Sequence, residues 1–280
     1  MTGPAEWLLE LVGHDIPRSL TKRPVMILPY GGTREAYFKY LREWLEENAP
    51  DVIPGRDDPD ASAKWREIAK NVAGIVGPLR EVVFEKCASS VRVMEWLQSV
   101  AKLVTKGNQP IWWQTPSGMV VRHFYGVTKQ RRLNTKIDGQ RYTFTVDETT
   151  ETLDVRKQLK GIPPNFVHSL DASALVDTIE LAKKAGVIAL TSIHDNFGTH
   201  AAHMDIAFKA IREAFVRTHT VNNLAEFRNK CVMMYAKHLE VVEREALPSA
   251  LARAEETIPK PPPMGDLDIR EVLDSDYFFA

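Results

Sequence analysis

Apolar residues recur every three or four positions through the first hundred residues, the period of amphipathic helices. The pattern predicts a short helix over 5–13. Asp15-Ile16-Pro17 then reads as a start signal, an acid to cap and a proline suited to a first helical turn. Residues 18–30 hold Pro24 and Pro29, so a helix there is expected to be kinked or ended by them. Gly31-Gly32 breaks the chain, and Thr33 is placed to cap a helix running to about Glu47. Residues 48–60, rich in Pro, Asp and Gly, read as loop. Two helices are expected over 62–76 and 78–105, divided at Gly77-Pro78.

From Ile111 the period shortens to that of strands. IWWQ, the turn TPSG and VVRHFYGV predict one hairpin. RRLNTKI and RYTFTV predict another, around Asp138-Gly139, a dipeptide favoured in tight turns. Gly161-Ile162-Pro163-Pro164 is expected to end this β region. A helix over 165–184 follows, stopped by Gly186, then the apolar strand VIALTSI running into His194-Asp195-Asn196-Phe197-Gly198. Helices are expected over 203–219 and 224–247, the second opened by Asn223 with Glu226 as a capping box in outline. The Pro-rich IPKPPPMGD leads to a short ending over 267–280. The fold class is α+β.

Composition changes this picture little. Hydrophobic content of 44% and charged content of 26% describe an ordinary globular chain of one or two domains. A net charge of −1 gives no bulk case for a nucleic-acid partner, but local charge does. Between Arg122 and Arg141 lie six basic residues against one acid, Asp138, a nucleic-acid footprint or a solvated face. Cys87 and Cys231 stand far apart without a CxxC, which implies neither a zinc site nor a disulfide framework. With no basic N-terminal flank and no long apolar run, a soluble cytoplasmic protein without membrane contact is expected.

Four constellations could carry chemistry. In Arg18-x3-Lys22-x3-Met26-x3-Tyr30-Gly31, each four-residue step drifts only roughly 40° around a helix, so the side chains would share one face. Two cations a turn apart suit a triphosphate, and an aromatic hydroxyl beyond them suits a base or sugar. A solvated basic stripe is the plainer alternative. Asp195, at the mouth of an apolar strand, is placed to ligate magnesium, which takes oxygen ligands and keeps several waters; it could equally cap its turn, with His194 structural. His168, early on the helix after PPNF, is either functional or structural. The basic hairpin could enter a major groove, where Arg reads guanine and Asn reads adenine, or be a charged surface element.

In this order these segments resemble the phage-type single-subunit RNA polymerases. SLTKRPVMILPYGG is similar to that family's fingers motif, GIPPNFVHSLDASAL to its histidine segment, TSIHDNFGTHAA to its second catalytic-aspartate motif, and LDIREVLDSDYFFA to its C-terminal segment near the active site. The likeness runs from near residue 5 to Ala280 and is weakest over 48–110. It implies the C-terminal part of a right-hand polymerase: fingers with a specificity-loop hairpin (111–160) over 1–160, a palm portion with the His-Asp turn over 161–247, and a foot-like segment over 248–280. It implies that Arg18 and Lys22 bind the triphosphate, Lys22 also assisting the leaving pyrophosphate. Met26 would lie in the same substrate site. Tyr30 would abut the nascent base pair and, with His168, select ribose, and Gly31 would admit the template base. Asp195 would bind magnesium with His194 supporting its turn, and Arg132, Asn134 and, more weakly, Arg141 would read DNA. Asn196 departs from the family's common Ser.

One absence is larger. The family's two magnesium ions, roughly 3.5–4 Å apart, need two aspartates. The other aspartate lies well before the fingers motif, and only 17 residues precede Arg18 here. The expectation is a heterodimer: a partner subunit supplies the N-terminal region and the second carboxylate, while promoter and template DNA, NTPs and the RNA transcript are bound jointly. If the gene is viral, the site of action is the host cytoplasm. A truncation or degraded gene is the alternative. A family-A DNA polymerase fragment would share the Arg-Lys-Tyr-Gly layout but typically carries Phe at Met26 and Glu at Asn196, without the basic hairpin. A non-catalytic DNA-binding or regulatory subunit with polymerase-like structure is the contrasting class.

Overall fold

In the computed structural model, which describes residues 3–28, 30–193 and 195–278, helices dominate and the strands pair into three two-stranded antiparallel hairpins. Contacts divide the chain into two compact units, 1–95 and 96–280.

The first unit is helical. α1 (Pro4–Val12) opens with the Gly3 amide donating to Glu6 Oε2 at 3.0 Å. α2 (Arg18–Met26) begins after Pro17, which is its N-cap, so the start signal shifts: Asp15 does not cap this helix. α3 (Arg34–Asn48) is capped as expected, Thr33 Oγ1 accepting from the Ala36 amide at 3.3 Å. α4 (Ala61–Lys86) runs unbroken through Gly77-Pro78, against the expected division. A mid-helix proline costs roughly 3 kcal/mol, but Ile68, Val72, Val76 and Val83 are buried on both sides of it, and their shared burial outweighs that local cost. With Leu8, Leu20, Tyr37, Leu41, Trp44 and Leu45, the first three of these form the unit's core. The break falls instead at Cys87, before α5 (Ala88–Val104).

The second unit is built around aromatic rings. Trp113 lies 5.7 Å from Phe227 and 5.9 Å from Phe166, and Trp96 meets Phe227 at 5.9 Å. Both indole N–H groups are satisfied, Trp113 donating to Ser169 Oγ and Trp96 to the Pro259 carbonyl. β1 (Ile111–Gln114) and β2 (Val120–His123) form the first hairpin as expected. β3 (Gly126–Ile137) and β4 (Gln140–Leu153) form a ribbon longer than the expected strands, with Asp138 and Gly139 both at positive φ in a two-residue turn.

Gly161-Ile162-Pro163-Pro164 does not end the β region. It lies inside α6 (Val155–Lys184), whose N-cap Asp154 accepts from the Lys157 amide at 3.0 Å. Gly161 is there for close approach, since a Cβ would sit 2.7 Å from the Tyr125 ring. That ring is held by Asn165, which donates to the Tyr125 hydroxyl at 3.1 Å. Alanine for glycine within a helix ordinarily stabilises by about 0.5–1 kcal/mol. Here the sign reverses: Gly161→Ala is expected to destabilise by about 1–3 kcal/mol through overpacking, measured by urea unfolding. An increase in stability would show that the ring yields.

β5 (Leu190–Ile193) is shorter than the apolar run and pairs with β6 (Asn196–Thr199). α7 (Met204–Thr220) matches expectation. α8 (Asn223–Val242) is capped one residue earlier than read, by Asn222, and stops five residues short, where Arg244 turns to positive φ. α9 (Leu247–Thr257) folds back on it, with Arg228 Nη1 2.6 Å from Glu255 Oε2 and its Nε donating to the Ile258 carbonyl.

Candidate functional site

On α2, the buried side chains Leu20 and Pro24 seat the helix while Arg18, Lys22 and Met26 remain exposed. Trp44 Nε1 donates to Ser19 Oγ at 2.9 Å and pins α2 to α3. Arg23 is drawn to α3 as well, 3.3 Å from Glu43 and 3.8 Å from Glu47, so its charge is spent locally. The four-residue ladder holds for Arg18, Lys22 and Met26 only. α2 ends at Met26, and Tyr30 follows in a turn in which its amide donates to the Ile27 carbonyl at 3.2 Å; Pro29 lies outside the described residues. Gly31 has φ +69°, a left-handed conformation that glycine adopts without cost, and its amide bonds the Leu28 carbonyl. A Cβ at Gly32 would lie 2.8 Å from Ile27.

In the second unit Asp195 is exposed in the turn between β5 and β6, where Ile193 pairs with Asn196. Asn196 Nδ2 donates to Asp195 Oδ1 at 3.3 Å, a neutral donor that leaves the carboxylate's charge intact. His194 lies outside the described residues. Gly198 is tight against Thr191, where a Cβ would meet Cγ2 at 2.9 Å. His168 is exposed on α6, three residues before Asp171. Asp171 keeps open surface, yet crowding of its carboxyl raises its pKa; His168 and His219 pull it down, and Asp195 pushes it up. Burial lowers the pKa of His219, with Asp171 opposing. These four groups therefore share one electrostatic neighbourhood. Asp171 and His219 were missed in the sequence reading, although Asp171 stands in the same segment as His168.

The C-terminal segment reaches the same helix. Phe215 of α7 packs 4.3 Å from His219 and 4.7 Å from Phe278. Arg212, buried, donates through Nη1 to the Val272 carbonyl and lies over the rings of Phe208 and Phe278. Phe279 and Ala280 lie outside the described residues. Among the described residues no group of three or more His, Cys, Asp or Glu converges on a metal position, and no helix is long and apolar enough to cross a membrane.

The ribbon brings its three expected readers together. Arg132 pairs with Thr145, Asn134 with Thr143 and Lys136 with Arg141, so Arg132, Asn134 and Arg141 share one face. Thr143 donates to Asn134 Oδ1 at 2.8 Å and fixes that amide.

The chain matches the family described as DNA-dependent RNA polymerase over residues 5–280. It is 33% identical over 266 residues to the DNA-directed RNA polymerase of Pseudomonas phage phiKMV, covering 95% of this chain and 28% of that protein. It is 30% identical to T7 RNA polymerase of Escherichia phage T7, covering 98% and 30%. Against the chloroplastic DNA-directed RNA polymerase 3 of Nicotiana sylvestris it is 31% identical, covering 99% and 25%. The chain thus spans about a quarter to three tenths of the length of these relatives.

Proposed function

This chain belongs to the DNA-dependent RNA polymerase family, and on that premise we propose that it is the nucleotide- and DNA-handling subunit of a split RNA polymerase. Its partner would be a second polypeptide carrying the N-terminal region and the other catalytic carboxylate. The fingers would extend to about 160 and include the ribbon, with the palm portion over 161–247 and the foot over 248–280. The observation that carries this reading is Asp195, an oxygen donor held at an exposed hairpin tip within an otherwise polymerase-like chain.

Asp195 fits one ligand position of magnesium, which is commonly held by one or two carboxylates with phosphates and waters completing its shell. Bound there as a pair, with a carboxylate from the partner, magnesium ions would offset charge on the attacking 3′-oxygen and the leaving phosphate. Arg18 and Lys22 hold the triphosphate by charge-assisted hydrogen bonds, and Lys22 delivers a proton to the departing pyrophosphate. Met26 and Gly31 line the substrate and template positions. His194 supports the aspartate's turn. Tyr30 and His168 each contribute to ribose selection, and Arg132, Asn134 and Arg141 contact promoter DNA. The enzyme would work in the cytoplasm, that of the host if the gene is viral.

The test is reconstitution. Expressed alone, the chain should fail to extend a primed template, and adding a polypeptide with the missing region should restore RNA synthesis. Elongation by the isolated chain would overturn the split. In the reconstituted enzyme, Tyr30→Phe should weaken preference for ribonucleotides over deoxyribonucleotides about tenfold, at little cost in rate, since one polar contact is worth about 1.4 kcal/mol. Unchanged discrimination would remove Tyr30 from that role.

A further inference from the structure

The β3–β4 ribbon has two chemically different faces, and only one is suited to nucleic acid. Alternation places Gln130, Arg132, Asn134 and Lys136 with Arg141, Thr143, Thr145 and Asp147 on one side. The other side carries Leu133, Ile137, Tyr142, Phe144 and Val146, all between 40% and 51% exposed. Tyr142 and Phe144 stack on each other at 6.3 Å with their planes 18° apart. Charge on this apolar side is confined to Lys129, Arg131 and Glu148, toward the ribbon's base, with Lys129 directly opposite Glu148.

An apolar stripe along a ribbon roughly 40 Å long is not a feature that water favours, and an unsupported two-stranded ribbon is marginal. We propose that this apolar face is a protein-docking surface, covered by the polymerase region that the chain lacks, so that the opposite face is free for DNA. This rests on the split-polymerase reading above. The occupant follows from the relatives. Their single chains hold the region matched here together with the 70% or more that this chain does not span. A surface apolar here is therefore expected to be interior to the complete enzyme. The faces differ in the required sense, since the polar one carries Arg132, Lys136 and Arg141 against Asp147 alone. Phosphates favour that face and an apolar protein surface favours the other.

The experiment measures affinity of this chain for a polypeptide carrying the missing region, and separately of the assembled enzyme for duplex DNA. The double variant Leu133→Ser/Phe144→Ser should weaken assembly at least about tenfold, because truncating central aromatic and aliphatic anchors removes most binding energy. Arg132→Ala should leave assembly unchanged and weaken DNA binding. Both positions are exposed, so the variants are expected to fold, and a photoreactive phenylalanine derivative at position 144 provides a second readout. Crosslinks from that position to the partner polypeptide support the proposal. Assembly by the double variant equal to wild type overturns it while leaving the split reading intact. Crosslinks to DNA, or a homodimer that the double variant dissolves, assign the face to nucleic acid or to a second copy and overturn it too. If the wild-type chain does not assemble at all, both readings fall.

Discussion

Asp195→Asn is expected to abolish RNA synthesis by the reconstituted enzyme, lowering the rate roughly 10³-fold or more while DNA binding persists. The substitution keeps the side chain's size, and Asn196 Nδ2 still finds an oxygen at position 195, so the hairpin between β5 and β6 should survive. What is lost is the negative charge. Charge stabilisation through a bound metal is worth several kcal/mol, and about 1.4 kcal/mol corresponds to a factor of ten. Single-turnover extension of a primed template, with a parallel gel-shift on the same duplex, separates catalysis from binding. Synthesis at the wild-type rate would move the chain to the class of non-catalytic DNA-binding subunits.

Lys22→Met is expected to have the next largest effect, lowering kcat for nucleotide addition about 10²-fold. Methionine preserves most of the apolar stem and removes only the ammonium, so α2 should remain seated through Leu20 and Pro24. The loss is of a donor aimed at charge that develops on the leaving pyrophosphate, and deletions of this kind cost about 10²–10³ in rate. Arg18→Met, one turn earlier, should instead chiefly raise the KM for nucleotide, because triphosphate binding is common to ground and transition states. Steady-state kinetics on both variants distinguish the roles. An unchanged kcat in Lys22→Met would show that this cation binds substrate without assisting departure. Arg23 is a useful contrast because Glu43 and Glu47 already engage it, and its removal should affect the seating of α2 on α3 more than chemistry.

The ribbon places the same demands on the assembled enzyme from the other side. If its apolar face is covered by the partner, assembly orients Arg132, Asn134 and Arg141 as well as completing the metal site. Loss of the partner would then cost promoter recognition and catalysis together.

Much of this was legible in the sequence because the relevant signals are local. Thr33 capping α3 and Asp138-Gly139 closing the ribbon each depend on a few adjacent residues, and each was read correctly. The same two-residue turn, by fixing register, set which side chains share a face. Arg18, Lys22 and Met26 on one stripe of α2 follow from helical period alone. Tertiary structure decided what proline and glycine do. Pro78 and Pro163-Pro164 read as breaks, yet both lie inside helices whose buried faces on either side contribute more than the local backbone penalty. It also decided that Asp171, His219 and Asp195 sense one another, and that Phe278 meets Phe215 of α7, pairings between residues that no short window contains. The chain's own backbone preferences are written nearby in sequence, whereas burial is contributed by partners from distant segments, and the fold records which of the two is larger.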